Sequence, residues 1–211
     1  MTTPETQAAN RAADRPHRPR NATASRAAIL AAARDAFARD SYERVGVRAI
    51  AAAAGVAPAL VLRYFGSKEQ LFAEVLHREV QDLGLEAVLA GDHARLGERL
   101  ARNVVREAAP TLLVTALRAA PDPRLAPQLR AAIADGIIDP IAGHLEGAHA
   151  VARATAISAQ LLGLAVHYHV LRIQGEPLAA GEGDILVALV ASALQSYVDG
   201  RDAVLIGGRA G

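Results

Sequence analysis

The sequence predicts an all-α protein of about nine helices, with an N-terminal three-helix helix-turn-helix head followed by a larger helical body. Three observations predict it. Apolar residues recur at three- and four-residue spacing along most of the chain, and no alternating run suggests a strand. Glycine and proline cluster between the periodic stretches, where helices must end. At 211 residues and 52% hydrophobic composition, the chain can bury a sizeable core.

Residues 1–24 are rich in Ala, Arg, Thr and Pro, with Pro16 and Pro19 opposing regular structure, and are expected to form a disordered basic tail. Arg11, Arg15, Arg18 and Arg20 would let such a tail follow a nucleic-acid backbone or enter a minor groove. Ser25 to Asp40 reads as the first helix, with Ile29, Leu30, Ala33, Ala36 and Phe37 on one side. Arg48 to Ala54 is a short second helix, and Gly55 supplies the permissive backbone for a sharp turn. Pro58 suits the first turn of a third helix that ends near Tyr64 to Gly66. Ser67 and Gln70 form a capping box that opens a longer helix towards Leu89, about 30 Å in length. Neither short helix can bury its apolar side alone, so Ile50, Val56, Val61 and Phe65 need partners from the first helix.

The run Gly55-Val56-x-Pro58-x-x-Val61-x-x-Tyr64-Phe65-Gly66-Ser67-Lys68-Glu69-x-Leu71-Phe72 resembles the helix-turn-helix signature of tetracycline-repressor-like (TetR) regulators. The resemblance covers Ser25 to Leu76. It implies a DNA-reading helix whose candidates are Pro58, Ala59, Leu60, Arg63 and Tyr64, with Ala59 and Leu60 suited to thymine methyl groups and Arg63 to a guanine edge or a phosphate. Arg48, at a helix start, and Lys68, at the next helix's N-terminus, are placed for phosphates. Two positions depart from the family pattern. Gly46 stands where a capping Thr is frequent, Leu62 stands where Tyr or His is frequent, and Val47 does not restore the hydroxyl.

The body reads as residues 71–200, with helices at Asp92–Ala108, Thr111–Ala119, Ala126–Leu145, Ala150–Ile173 and Asp184–Val198, and with residues 201–211 as a flexible tail. Pro140 should kink or break the third of these. The last two are apolar almost all round, which calls for burial on two sides. Ile157, Leu161, Leu164, Tyr168 and Leu171 form a bulky row for the body's own core. The smaller row Ala156, Gln160, Gly163, His167 and Val170 is the candidate dimer face, joined by Val187, Ala188, Ala191, Ser192 and Gln195 on the last helix. Similar repressors pair these helices across a two-fold axis, so a C₂ homodimer is expected.

Family resemblance also implies a small-molecule effector between the body helices. Its expected walls are Leu113, Leu117, Ile133 and Ile137 on one side and Leu164, Tyr168 and Leu171 on the other, with Thr115 and Arg118 as polar contacts. No cofactor or metal is expected. His167 and His169 lie about 200° apart on a helix and cannot share one ion; His144 and His149 straddle Gly147. Ser158, Ser192 and Ser196 have no nucleophile-elbow context, and the absence of a Gly-rich phosphate loop or an HExxH string argues against an enzyme.

The net charge of +1 hides a division, because residues 1–70 carry eleven basic against six acidic residues and the remainder twelve against sixteen. A basic head favours a nucleic-acid surface. The chain has no cysteine, which suits a reducing compartment. Arg153, Gln160, His167 and His169 interrupt the most apolar stretch, so no membrane span is expected, and a cytoplasmic location follows from the resemblance. The expected function is a repressor released from a palindromic DNA operator by an apolar effector; the alternative is an architectural or activating DNA binder that senses no ligand.

Overall fold

The computed structural model describes residues 18–107, 115–116, 119–171 and 181–200, and every regular element among them is helical. The expected tail up to residue 17, the C-terminal tail, and most of the Thr111–Ala119 helix lie outside these residues. Helix α1 (Arg18–Arg39) begins earlier than Ser25, so residues 18–24 are not a tail. Pro19 is compatible with it because the first turn of a helix has N–H groups without partners in any case.

The head is built from α1, α2 (Val47–Ala53), α3 (Pro58–Phe65) and the start of α4 (Lys68–Gln81). Ile29, Ala33, Ile50, Val61, Leu71 and Phe72 are at most 1% exposed. Its centre is aromatic. Phe37 stacks on Tyr42 at 5.8 Å between ring centroids, and Phe72 meets both edge-on, at 5.1 and 5.4 Å. All three phenylalanines of the chain, Phe37, Phe65 and Phe72, belong to this core.

The expected Ser67-to-Leu89 helix is interrupted. Gly84, at φ +63°, ends α4's path, and a short α5 (Leu85–Leu89) follows at a new angle. Ser67 caps α4 by accepting a hydrogen bond from the Gln70 N–H at 3.1 Å, whereas the reciprocal half of the expected box is not formed, since the Ser67 N–H donates to the Phe65 carbonyl. A 3₁₀ turn (His93–Arg95), capped by Asp92, leads into α6 (Leu96–Glu107).

Helix α7 comprises Ala126–Ile133, a π-helical turn at Ala134–Ile138, and Asp139–Gly143. Pro140 explains the turn. It has no N–H for the Gly136 carbonyl, so the chain widens and the Asp139 N–H bonds instead to Ala134, five residues back. Helix α8 runs Ala150–Ala165 and ends in a second π turn, Val166–Val170, while α9 is Glu182–Asp199. Ala150–Val170 is long and apolar enough to cross a bilayer by length and composition, but its row Ala154, Ile157, Leu161 and Leu164 packs into the body core. Arg153, buried in the same helix, spreads its guanidinium over the carbonyls of Glu146, Ala148, Tyr197 and Val198, tying the end of α9 to the α7–α8 loop.

The boundary expected at residue 70 is not a boundary of the core. Ala119, Leu125 and Leu129 pack into the head's cluster beside Leu76 and Val80. At the same junction Arg124 pairs with Glu43 and Asp122, at 2.9 and 2.8 Å, and lies over the Tyr42 ring. Hydrogen bonds from the Arg124 side chain and backbone hold the Asp122 carboxyl down at about 2, against an ordinary 3.8. An acid depressed in this way stabilises the fold above its unfolded pKa and loses that contribution as the pH falls through the folded one. The gap in urea midpoint between the native chain and Asp122→Asn should therefore be full above pH 3.8 and close towards about pH 2. A gap that stays constant across a titration of midpoints would remove this pair from the junction's energetics.

Candidate functional site

Between α2 and α3 the chain bends by 105°, within the range of a helix-turn-helix. Gly55, at φ +66°, makes the turn, and the Val56 N–H closes it on the Ala51 carbonyl at 2.9 Å. Val61 and Phe65 anchor α3 to the head core and leave its other side exposed, where Pro58, Ala59, Leu62 and Arg63 stand. Leu60 and Tyr64 are half-buried, so they flank this face and do not form its centre. Leu62, which the sequence marks only as a lost hydroxyl, is 47% exposed on the open side of α3 and is the bulkiest apolar group there.

Arg48 is exposed at the start of α2, whose N-cap, Gly46, has no side chain to offer. Lys68 is engaged within the protein. Its Nζ donates to the Tyr42 carbonyl and lies 4.0 Å from the Tyr42 ring centre, and burial lowers its pKa. Burial and the neighbouring Glu69 carboxylate together push the Tyr42 phenol up. Arg26 pairs with Glu74 at 2.8 Å and covers the Phe65 ring, while Arg34 pairs with buried Glu79.

In the body an apolar cavity of about 110 Å³ is lined by Val80 and Leu83 beyond α4's start, Leu100 and Val104 of α6, Leu129, Ile133 and Ile137 of α7, and Leu161 and Ala165 of α8. Ile133 and Ile137 are two of the expected wall residues. Leu164 is buried in the body core instead, Tyr168 donates to the Gly183 carbonyl at 3.0 Å and ties α8 to α9, and Leu171 is 57% exposed. Thr115 is buried beside Ala116, which lines the cavity, and its hydroxyl has no partner among the described residues. Leu113, Leu117 and Arg118 lie outside the described residues. Leu83, Leu100 and Leu161 could not be found from sequence because any helix of the body offers such residues.

Among the described residues, every exposed large apolar side chain except Leu62 lies on α8, at its end, or on α9: Val151, Leu162, Val170, Leu171, Ile185 and Leu189. Gly163 opens on empty space and His167 is exposed, bonded back to the Gly163 carbonyl. His169 turns the other way, to the Val104 carbonyl of α6. On α9 the expected face is corrected. Ala191 is buried and Gln195 exchanges hydrogen bonds with the Gly97 N–H and the His93 carbonyl, so these two serve α6 of the same chain. Val187 is half-buried towards α6, whereas Ala188 and Ser192 are exposed beside Ile185 and Leu189. Gln160 reaches the Tyr197 hydroxyl within the protomer.

Comparison with known proteins gives a consistent set. The family model of bacterial regulatory proteins of the tetR family matches residues 29–75, and that of the tetracyclin repressor-like C-terminal domain matches residues 94–198. A TetR-family regulator from Streptomyces coelicolor A3 is 29% identical, with a TM-score of 0.58 over 87% of this chain and 99% of that one. Two further solved structures share the fold. Bacillus subtilis FadR in complex with stearoyl-CoA is 22% identical, with a TM-score of 0.58 over 82% of this chain and 97% of its own. Pseudomonas aeruginosa NalD, a secondary repressor of the MexAB-OprM multidrug efflux pump, is 21% identical, with a TM-score of 0.59 over 81% and 94%. No curated protein matches the chain.

The α6–α9 contact yields a test of which face of α9 is internal. A Cβ on Gly97 would lie 2.4 Å from the Ala191 carbonyl oxygen, a backbone atom that cannot swing away. Overpacking costs about 1–3 kcal/mol, and the better helix propensity of alanine returns at most about 1 kcal/mol. Gly97→Ala should therefore lower the thermal midpoint; a rise would show that α6 and α9 are not in close contact.

Proposed function

The chain belongs to the TetR family of bacterial transcriptional regulators, and from that premise we propose that it is a repressor, a homodimer on a palindromic operator from which a small molecule in the body releases it. The observation that carries the reading is the open side of α3, where Pro58, Ala59, Leu62 and Arg63 stand clear of the head core at the 105° bend. Leu62 and Ala59 offer apolar contact to thymine methyl groups, and Arg63 offers a bidentate fork to guanine. Arg48 supplies a phosphate contact. Lys68, held on Tyr42, retains further N–H donors at the N-terminus of α4 and orients the loop before α2. The family's regulators act on DNA as dimers in the cytoplasm, and the exposed apolar groups of α8 and α9 are the surface that a second copy would cover.

A second reading keeps the DNA contacts and removes the effector. The small size of the cavity favours it, since about 110 Å³ is little room for a ligand.

Selection of bound sites from random DNA tests the first reading. An inverted repeat with half-sites about 34 Å apart is expected. Arg48→Ala should weaken all sequences alike and reduce the salt slope by about 0.9, while Arg63→Ala should cost about 1–3 kcal/mol at particular bases. Equal losses on selected and random DNA would take base reading away from Arg63.

Gly163→Arg and Leu189→Arg should each yield a folded monomer in sedimentation, because a charge on either would have to be buried without a partner. A dimer of unchanged mass for both would put the interface elsewhere. For the switch, a hundredfold loss of operator affinity requires about 2.7 kcal/mol of coupling, and linkage requires DNA to weaken the effector by the same factor. Calorimetric titrations of an effector with and without operator DNA that agree would favour the second reading.

A further inference from the structure

On the reading that the body takes an effector, we propose that this effector is an amphipathic anion, with a short aliphatic part in the apolar cavity and a carboxylate or phosphate held by arginines of α6. Leu83 and Asn103 line the cavity on one side and, on the other, a second hollow of about 410 Å³ whose walls include Asp82, Gly84, Arg99, Arg102 and Arg106. Arg99, Arg102, Asn103 and Arg106 follow one another at i, i+3, i+4 and i+7, so a single face of α6 presents them together. Asp82 lies 3.5 Å from Arg34, and Glu98 is shared between Arg95 and the Arg102 Nε, at 2.8 and 2.9 Å.

Arg99 is the most constrained of the three. Its two terminal nitrogens donate to the Val88 and Asp92 carbonyls, and its Nε is buried without a partner. An anionic oxygen is the acceptor that an arginine fork fits best, and Arg102 and Arg106 stand exposed on the same face of α6 as Arg99. Among the described residues the polar lining of the cavity is Asn103 and Ser158, and Asn103 is the one shared with the arginine face of α6. An engineered apolar cavity of about 150 Å³ accepts benzene. At about 110 Å³ this one suits a chain of a few carbons.

The wall between the hollows also joins the site to the head. The Asn103 side chain donates to the Leu83 carbonyl at 2.9 Å, immediately beyond the end of α4. A molecule reaching from the cavity to the arginines competes for that hydrogen bond, and thereby loosens the helix whose other end caps the head.

The test is calorimetry on the full-length protein at low salt with sodium hexanoate, hexyl phosphate and 1-hexanol, which share one chain and differ in the head group. At least one of the two anions should bind tenfold or more tightly than the alcohol, and the better anion identifies the head group. Arg102→Glu and Arg106→Glu, both at exposed positions, should remove that preference and leave the alcohol's affinity unchanged. Ala132→Leu should fill the cavity and weaken every probe. Equal binding of anion and alcohol, or anion binding untouched by both arginine changes, overturns the proposal and leaves a neutral effector in place. Failure of all three probes to bind also overturns it, whereas the regulator reading stands or falls separately on the operator selection.

Discussion

A head of this size cannot close its own core, and that shortage organises the molecule. Helix α4 covers the head with Leu71, Phe72, Val75 and Leu76, and what it leaves open is filled from the body by Leu125 and Leu129. Head and body are consequently parts of one apolar cluster. Val80, Leu129, Ile133 and Ile137 belong to that cluster or pack on it, and all four also line the body cavity. A change in the cavity and a change in the seating of the head therefore act on the same side chains.

The contact depends on a single backbone irregularity. Pro140 withholds a hydrogen bond from the Gly136 carbonyl, α7 relaxes into a π turn, and Gly136 comes so close to α4 that a Cβ would lie 2.3 Å from the Val80 Cγ1. A regular helix with a larger residue at 136 would hold α7 away from α4. The proline thus sets a long-range packing distance through a local loss of one donor.

Arginine does most of the polar work, since Lys68 is the chain's only lysine. Much of it is internal. Arg26 and Arg34 brace α1 on α4, Arg124 clamps the loop at Tyr42, and Arg153 gathers four carbonyls where α7, α8 and α9 meet. The planar fork suits such sites because several fixed donors meet several fixed acceptors with little further loss of freedom. The basic excess of the N-terminal part therefore overstates the charge available to DNA, and among the described residues Arg48 and Arg63 are the exposed cations on α2 and α3 themselves.

The sequence by itself determined most of the described helices, the Gly55 turn, the Ser67 cap and the helix-turn-helix string, because each rests on chemistry within four or five residues: a glycine at positive φ, a hydroxyl over an N–H, an apolar face at helical spacing. It also showed that Pro140 would disturb its helix, though not that the disturbance would be a π turn upstream. It did not show α1 starting at Arg18, since the same proline can oppose a helix or open one, depending on the residues C-terminal to it. The tertiary structure alone decided the roles of residues on helices apolar all round. Ala191 and Gln195 look like neighbours of Leu189 in the sequence, yet Gly97 lets α6 approach so closely that they are taken inside, while Leu189 stays exposed. Lys68 was legible as a cation at a helix start, but Tyr42, distant in sequence, holds its ammonium. Periodicity gives the apolar faces of a helix; which face meets which neighbour is fixed only when all the helices have packed.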